Sequence, residues 1–346
     1  MLTSSSAEAS DEVVILTPAE AEAAAELATS LAQRYSSIDD EDLLCDLPFH
    51  ASKLPLRAQR FLRRFALADR RGFCIVKGHV MDVARIGPTP ADWRGLARPG
   101  PEFPEEILLL LYAALLGEPF GWATQQDGQL VHNTFPIKEH EYEQLGSGSK
   151  EPLTWHTEDA FHPYRGDYLI LGSLRNPDRV ATTVAELDVS ALSPEDLDLL
   201  FQERFRIVPD ESHRPRNNSP VCASDRRRFA NIERFVTDHR PVAVLFGSPT
   251  DPYLRLDPYF MEIPEEDLDA NRAFRALVEV IDRNLRNIVL EQGDFLFVNN
   301  HRAVHGRVPF TARYDGTDRW FKRVNVTADL RKSRDMRATA ASRLIG

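Results

Sequence analysis

Gly293-Asp294-Phe295-Leu296-Phe297-Val298-Asn299-Asn300-His301-Arg302-Ala303-Val304-His305-Gly306-Arg307 is the stretch on which the reading of this chain turns. A Gly-Asp turn feeds an apolar run that ends in two asparagines, the pattern of a buried strand, and a histidine followed by glycine and arginine sits just beyond it. Two histidines compete for a metal-binding role. His301 and His305 are four apart, the spacing of a zinc-protease helix, but that motif needs Glu directly after the first histidine and Arg302 stands there. A zinc-protease reading is thereby excluded.

Outward from this stretch the chain is a series of short strand candidates: LTWHTEDAF (from 153), YLILGSLRN (from 168), TTVAEL (from 182), RFRIVPD (from 204), PVAVLFGS (from 241), NIVLEQGDFLFVNN (from 287) and KRVNVTADL (from 322). Two helices interrupt it, one started by Ser193-Pro194-Glu195-Asp196 and one from Pro264 to about Arg286. On the N-terminal side Thr17, Pro18 and Glu20 form a capping-box start for a helix to about Tyr35. A second helix is expected over 55 to 70, a buried strand in FCIVKGHV (73 to 80) and an apolar helix at 105 to 117. The five prolines of 86 to 104 mark a loop. The fold expected is mainly β with flanking helices, around a jelly-roll (double-stranded β-helix) core. Its divisions are a flexible tail at 1–12 and one domain at 13–346, with helical additions at 17–70, the jelly roll at about 73–330 and a helical insertion at about 193–290.

With 53 acidic against 42 basic side chains the net charge is -11, and no long basic run breaks it. A nucleic-acid partner is not expected, because phosphate binding needs clustered Lys and Arg; a small, cationic substrate suits the charge. Three scattered cysteines, Cys45, Cys74 and Cys222, form neither a metal knuckle nor a disulfide framework. The N-terminus lacks a signal-peptide pattern and no apolar run is long enough to span a bilayer, so the expected location is cytoplasmic. Nothing in the sequence speaks to oligomeric state.

The second chemical signal is Trp155-His156-Thr157-Glu158. On extended backbone, residues two apart share a side, so His156 and Glu158 can converge on one ion. By itself His-x-Glu recurs by chance. Joined to His305 it offers two imidazoles and one carboxylate, the ligand set of non-haem iron, which leaves coordination positions open. The third signal is Arg319 with Arg323, fourteen and eighteen residues after His305. On a strand they share a face, and each can pair bidentately with a carboxylate. A non-catalytic metal-binding jelly roll has no need of that pair of arginines. A zinc hydrolase on the same three ligands is the other rival from a different class.

At these residues the sequence resembles the clavaminate synthase-like branch of the iron(II) and 2-oxoglutarate-dependent oxygenases. The resemblance lies in His156-Thr157-Glu158-Asp159-Ala160-Phe161, His305-Gly306-Arg307, and Arg319 with Arg323, and runs from about 70 to 330. Within the branch the chain is most similar to bacterial hydroxylases of the β-carbon of free L-arginine.

The resemblance implies Fe(II) held by His156, Glu158 and His305, with 2-oxoglutarate and O2 as cosubstrates. It gives Arg319 to the distal carboxylate of 2-oxoglutarate, assisted by Thr183 or Thr182. Arg323 would take the substrate α-carboxylate, Gln125 and Glu158 the α-amino group, and Asp257 the guanidinium. Family arginine hydroxylases carry two aspartates two residues apart, and here the second position is Tyr259, which can stack on or hydrogen-bond a guanidinium. Asp251 is a possible substitute. Ser147 or Ser149, in a glycine-serine loop, is expected to close over the substrate. The implied product is hydroxyarginine, with succinate and CO2. Hydroxylation of another amino acid or at C4, a second hydroxylation, desaturation or cyclisation are the alternatives within the class.

Overall fold

The computed structural model describes residues 12–219, 226–237 and 240–346. Its strands are β1 (Val13–Ile15), β2 (Phe73–Lys77), β3 (Glu118–Trp122), β4 (His132–Thr134), β5 (Leu153–His156), β6 (Tyr168–Arg175), β7 (Thr182–Glu186), β8 (Arg206–Ile207), β9 (Leu245–Ser248), β10 (Asp251–Leu254), β11 (Met261–Glu262), β12 (Arg286–Ile288), β13 (Phe295–Asn299), β14 (Ala303–Arg307), β15 (Trp320–Thr327) and β16 (Leu344–Ile345). The helices are α1 (Pro18–Arg34), α2 (Glu41–Ala51), α3 (Leu56–Ala68), α4 (Val83–Ile86), α5 (Phe103–Ala114), α6 (Pro194–Leu200), α7 (Arg226–Thr237) and α8 (Leu268–Asn284).

Two sheets face each other. The larger runs β1-β2-β13-β6-β15-β3-β16 with β4 added to β15, and the smaller runs β12-β7-β14-β5. Apart from β1 on β2 and β16 on β3, the ladders of both sheets are antiparallel. Ile75, Leu169, Leu171, Leu296 and Phe321 of the larger sheet meet Val184 and Ala303 of the smaller one in the core between them, the jelly-roll arrangement expected from the alternation of many short strands. The outer face of the larger sheet is covered by α1, α2, α3 and α5, through side chains such as Leu62, Leu109, Val76 and Phe297. The outer face of the smaller one is covered by α6 and α8, through Leu200, Leu277 and Ile281 against Trp155, Ala185 and Val304.

The decisive stretch folds as two strands rather than one. Gly293 adopts φ +84°, and a Cβ there would lie 1.9 Å from the His79 carbonyl oxygen, so only glycine fits this turn. Asp294 accepts the Glu291 N–H at 3.0 Å and launches β13 in the larger sheet. Residues 300–302 then cross to the smaller sheet, where β14 carries His305. The Thr17 capping box forms as expected, with Glu20 N–H to Thr17 Oγ1 at 3.3 Å and Thr17 N–H to Glu20 Oε2 at 2.8 Å. The strand expected over 73 to 80 stops at Lys77, because Gly78 turns to φ +98°. Helix α2 was not anticipated: Pro48 lies inside it, where a missing N–H and ring bulk ordinarily break a helix. Of the expected tail only Glu12 is described, and it pairs with Arg286 at 2.6 Å; residues 1–11 and Cys222 lie outside the described residues. Cys45 and Cys74 are free thiols. Among the described residues no helix is long and apolar enough to cross a membrane.

Candidate metal and substrate site

The antiparallel register of β14 on β5 sets His305 directly opposite His156. Side chains facing each other across such a ladder are neighbours on one face, here the face turned toward the larger sheet. Glu158 follows two residues past His156, beyond the strand end. Its backbone is fixed by Asn300, whose Oδ1 accepts the Glu158 N–H at 2.6 Å while Nδ2 donates to the Glu158 carbonyl at 3.0 Å. Thus one asparagine of the strand-ending pair ties the turn between the sheets to the carboxylate beside the two histidines.

Glu158 Oε2 stands 3.2 Å from His305 Nε2 and 3.7 Å from His156 Nε2, and the three donor atoms lie within 4.8 Å of one another. Bonds of about 2.1 Å to a common ion bring neighbouring donors to about 3 Å, so the group fits a metal with little movement. His156 Nδ1 is 2.7 Å from the Thr154 carbonyl, an acceptor only, so Nδ1 carries a proton and Nε2 is the nitrogen turned to the site. Burial works against ionising Glu158, yet Arg323 and the two imidazoles hold its carboxyl well below the usual range. Burial also works against charging His156, but Glu158 and Asp257 raise it to about 9. His301, the competing histidine, is turned away to Asp167 at 2.9 Å.

These groups line a cleft of about 850 Å³, part of it open to solvent. Arg319, just before β15, and Phe321 and Arg323 on it enter the cleft from one side, while Lys322 points the other way into the Glu102 and Glu106 carboxylates at 2.8 and 2.7 Å. Arg319 is 4 % exposed. Among the described residues it has no carboxylate partner; its guanidinium lies 4.2 Å from the Phe321 ring centroid and its Nε is buried without an acceptor. Burial, with Arg307 nearby, lowers its pKa to about 9, still a cation at neutral pH. A buried cation without a counter-ion is costly, and an anionic ligand relieves that cost. Arg323 instead is engaged by Glu158 Oε1, by Gln125 Oε1 at 3.0 Å and by His132 Nδ1 at 2.7 Å.

At the other end Asp257 accepts the Tyr259 and Phe260 N–H groups on Oδ1 at 3.2 and 3.3 Å. Burial, against the pull of His156 and with help from Asp210, raises its carboxyl to about 6. Asp210 also lines the cleft and was missed from sequence. The signal was its place at the end of the RFRIVPD strand, two residues before Ser212, whose N–H it accepts at 2.7 Å. A second carboxylate thus enters the cleft from another segment, and Tyr259 sits at the rim, 58 % exposed.

Three expectations are corrected in detail. Thr182, not Thr183, lines the cleft: with period two along β7, Thr182 and Val184 face inward and Thr183 lies on the opposite face beside Gly306. Neither serine of the glycine-serine loop lines the cleft; Ser147 Oγ is bonded to His140 Nδ1 at 2.7 Å and Ser149 Oγ to Tyr314 at 3.2 Å, while Gln144, Leu145 and Gly146 line it instead. Asp251 is outside the cleft, paired with Arg302 at 2.7 Å. Arg307, the last residue of the His-Gly-Arg motif, has a structural task. It holds the loop in place by donating to the Gly148 and Glu151 carbonyls at 2.5 and 2.9 Å.

A jelly roll with two imidazoles and one carboxylate on its inner face, beside a buried arginine awaiting an anion, defines the class of non-haem iron, 2-oxoglutarate-dependent dioxygenases. The chain belongs to the taurine catabolism dioxygenase TauD, TfdA family, which matches residues 48–325, a longer span on the N-terminal side than the motifs alone suggest. It is 42% identical over 325 residues to the enduracididine beta-hydroxylase of Streptomyces hygroscopicus, covering 92% of this chain and 95% of that one. It is likewise 42% identical over 330 residues to the L-ornithine/L-arginine 3-hydroxylase of Catenulispora acidiphila, covering 93% and 96%. Among solved structures, the non-heme iron oxygenase OrfP in complex with Fe, succinate and (3S)-hydroxy-L-Arg superposes with a TM-score of 0.95 at 62% identity, over 96% of this chain and 99% of that one. OrfP has also been solved with Fe and alpha-ketoglutaric acid.

Proposed function

We propose that this chain hydroxylates free L-arginine, or a close guanidine-bearing analogue, at the β-carbon. The enzyme is an Fe(II)- and 2-oxoglutarate-dependent dioxygenase, and its substrate is a small amino acid. When bound, iron and 2-oxoglutarate supply the oxidising chemistry: O2 is consumed, 2-oxoglutarate becomes succinate and CO2, and one oxygen atom enters a substrate C–H bond.

The observation that carries the cosubstrate reading is Arg319, a buried guanidinium in the same cleft as the triad and without an acid partner among the described residues. In this proposal it receives the distal carboxylate of 2-oxoglutarate, with the Thr182 hydroxyl beside it. His156, Glu158 and His305 would hold the iron. Arg323 would receive the substrate α-carboxylate, with Gln125 and Glu158 facing the α-amino group. Asp257 and Asp210 would flank the guanidinium, two carboxylates for a planar cation, with Tyr259 at the rim. Fixing the backbone end of the amino acid near the triad presents its β-carbon first, and orientation of this kind decides which C–H bond reacts. The two hydroxylases and OrfP support the substrate assignment by their own activities and ligands.

The test is mass spectrometry of products from iron-loaded enzyme with 2-oxoglutarate and a panel of arginine, homoarginine, citrulline, cyclic arginine derivatives, asparagine and ornithine. Gain of one oxygen on guanidine-bearing members, placed on C3 by fragmentation, is expected. Gain only on members without a guanidine group would overturn the substrate assignment.

A further inference from the structure

Strand β4 is three residues long and pairs only with β15, in the register Thr134 on Phe321, Asn133 on Lys322 and His132 on Arg323. Asn133 pins the strand: its Oδ1 accepts the Trp320 indole N–H at 2.9 Å, and its own N–H and carbonyl are bonded to the Gln126 amide at 2.9 and 2.7 Å. What this short strand delivers is one imidazole directly opposite Arg323.

Arg323 has three acceptors, and two have other tasks in the proposed complex: Glu158 as metal ligand and Gln125 at the α-amino group. His132 has none. It is 3 % exposed and stands behind the arginine rather than among the groups lining the cleft. A guanidinium only donates, so the 2.7 Å contact from Arg323 requires His132 Nδ1 to be the acceptor and puts the ring proton on Nε2. A neutral ring is the state its surroundings favour, since burial and then the Arg323 charge hold its pKa well below the ordinary histidine value.

We infer that His132 is a positioning residue for amino-acid binding: as a neutral acceptor behind Arg323 it fixes the plane of the guanidinium, so that the N–H groups facing the cleft meet the substrate carboxylate in one orientation. The inference rests on the assignment of Arg323 to that carboxylate. Its consequence is for coupling as much as affinity. A tilted guanidinium shifts the β-carbon relative to the metal, and displacement of about an ångström costs productive reaction steeply.

The experiment compares His132→Asn, His132→Gln, His132→Leu and Arg323→Ala in the full-length, iron-loaded enzyme, reading KM for L-arginine, KM for 2-oxoglutarate and the ratio of succinate to hydroxylated product. Leu removes the acceptor and is expected to raise the arginine KM about tenfold, the scale of one charge-assisted hydrogen bond. Succinate should then exceed product, with the 2-oxoglutarate KM within about twofold of wild type. Asn, whose Oδ1 falls where Nδ1 was, is expected to return both readouts to within about threefold of wild type, and Gln, whose acceptor lies one bond too far, is not. Equal behaviour of Asn and Gln, or a succinate-to-product ratio unchanged in every variant, overturns the inference; the Asn and Gln pair decides the matter even where Leu does not fold. If Arg323→Ala leaves the arginine KM unchanged, the carboxylate assignment itself falls. If Arg323→Ala raises it while the His132 variants match wild type, only the role of His132 falls.

Discussion

His156 and His305 are cross-strand partners on β5 and β14, and the ladder slips by one residue immediately beyond them, so that Arg307 pairs with Leu153. The slip is a bulge in β5, and bulges re-aim side chains beside functional sites; here Thr154 turns its carbonyl onto the ring of its own strand's histidine. Gly306, next to His305, backs against this bulge. A Cβ there would lie 2.5 Å from the Leu153 carbonyl oxygen and 3.0 Å from Trp155 Cα, and both are backbone atoms that cannot give way cheaply. Gly306→Ala is expected to cost about 1–3 kcal/mol of stability, in the range of overpacked interiors. It should also weaken iron binding by spreading the two histidines. Thermal denaturation with and without Fe(II) checks it, and an unchanged Tm together with unchanged metal affinity would show the contact to be slack.

Arg319 gives the second prediction. Arg319→Ala should weaken 2-oxoglutarate binding by about thirtyfold or more, the scale on which truncating one member of a buried charge pair is felt, and leave iron affinity nearly as it was. Anaerobic titration of each ligand separates the two effects. Unchanged cosubstrate affinity would remove Arg319 from that role.

The two threonines of β7 test the strand register. Thr182→Val should raise the 2-oxoglutarate KM several-fold, about what one lost hydrogen bond costs. Thr183→Val, on the opposite face, should leave it where it was. The reverse ranking would mean that the cosubstrate approaches from another side of the sheet.

How far these residues could be read in the sequence depended on distance along the chain. His156 with Glu158, and Arg319 with Arg323, were legible as pairs because period two is a local rule, whereas His305 joined them through its Gly306-Arg307 neighbours and the family resemblance they carry. Which threonine of an adjacent pair faces inward was not legible, because that phase is set by the partner strand. The second acid was illegible for the same reason. A carboxylate two residues from Asp257 could be looked for in one segment, whereas Asp210 arrives from the loop after β8, brought there only by the fold. The serine-rich loop misled because composition indicates a turn but not which side chains the turn uses on itself, and Ser147 is taken by His140. Helix α2 stayed hidden behind its own proline.

Placed against the substrate guanidinium as proposed, Asp257 gives a pH dependence. Its carboxyl is raised to about 6 by burial, and only the ionised form pairs with a guanidinium, so the proton competes with the cationic substrate. The KM for arginine is expected to climb as pH falls through about 6, approaching about tenfold per pH unit below it, and to level off above. The 2-oxoglutarate KM should stay flat over the same range, because Arg319 remains a cation there. Steady-state kinetics at saturating iron tests this. Asp257→Asn should show a high KM without the slope, and a wild-type slope surviving in that variant would assign the titration to another group.

Whether one cleft joins the iron triad to sites for 2-oxoglutarate and a free guanidine-bearing amino acid is decided by one stoichiometric measurement. Anaerobically iron-loaded enzyme is given 2-oxoglutarate and L-arginine, O2 is admitted, and succinate and hydroxylated amino acid are quantified together. One succinate is expected for each arginine gaining an oxygen atom at C3, with release depending on both the amino acid and the metal. Absence of succinate across the amino-acid panel, or its release at the same rate with no amino acid present, would contradict it.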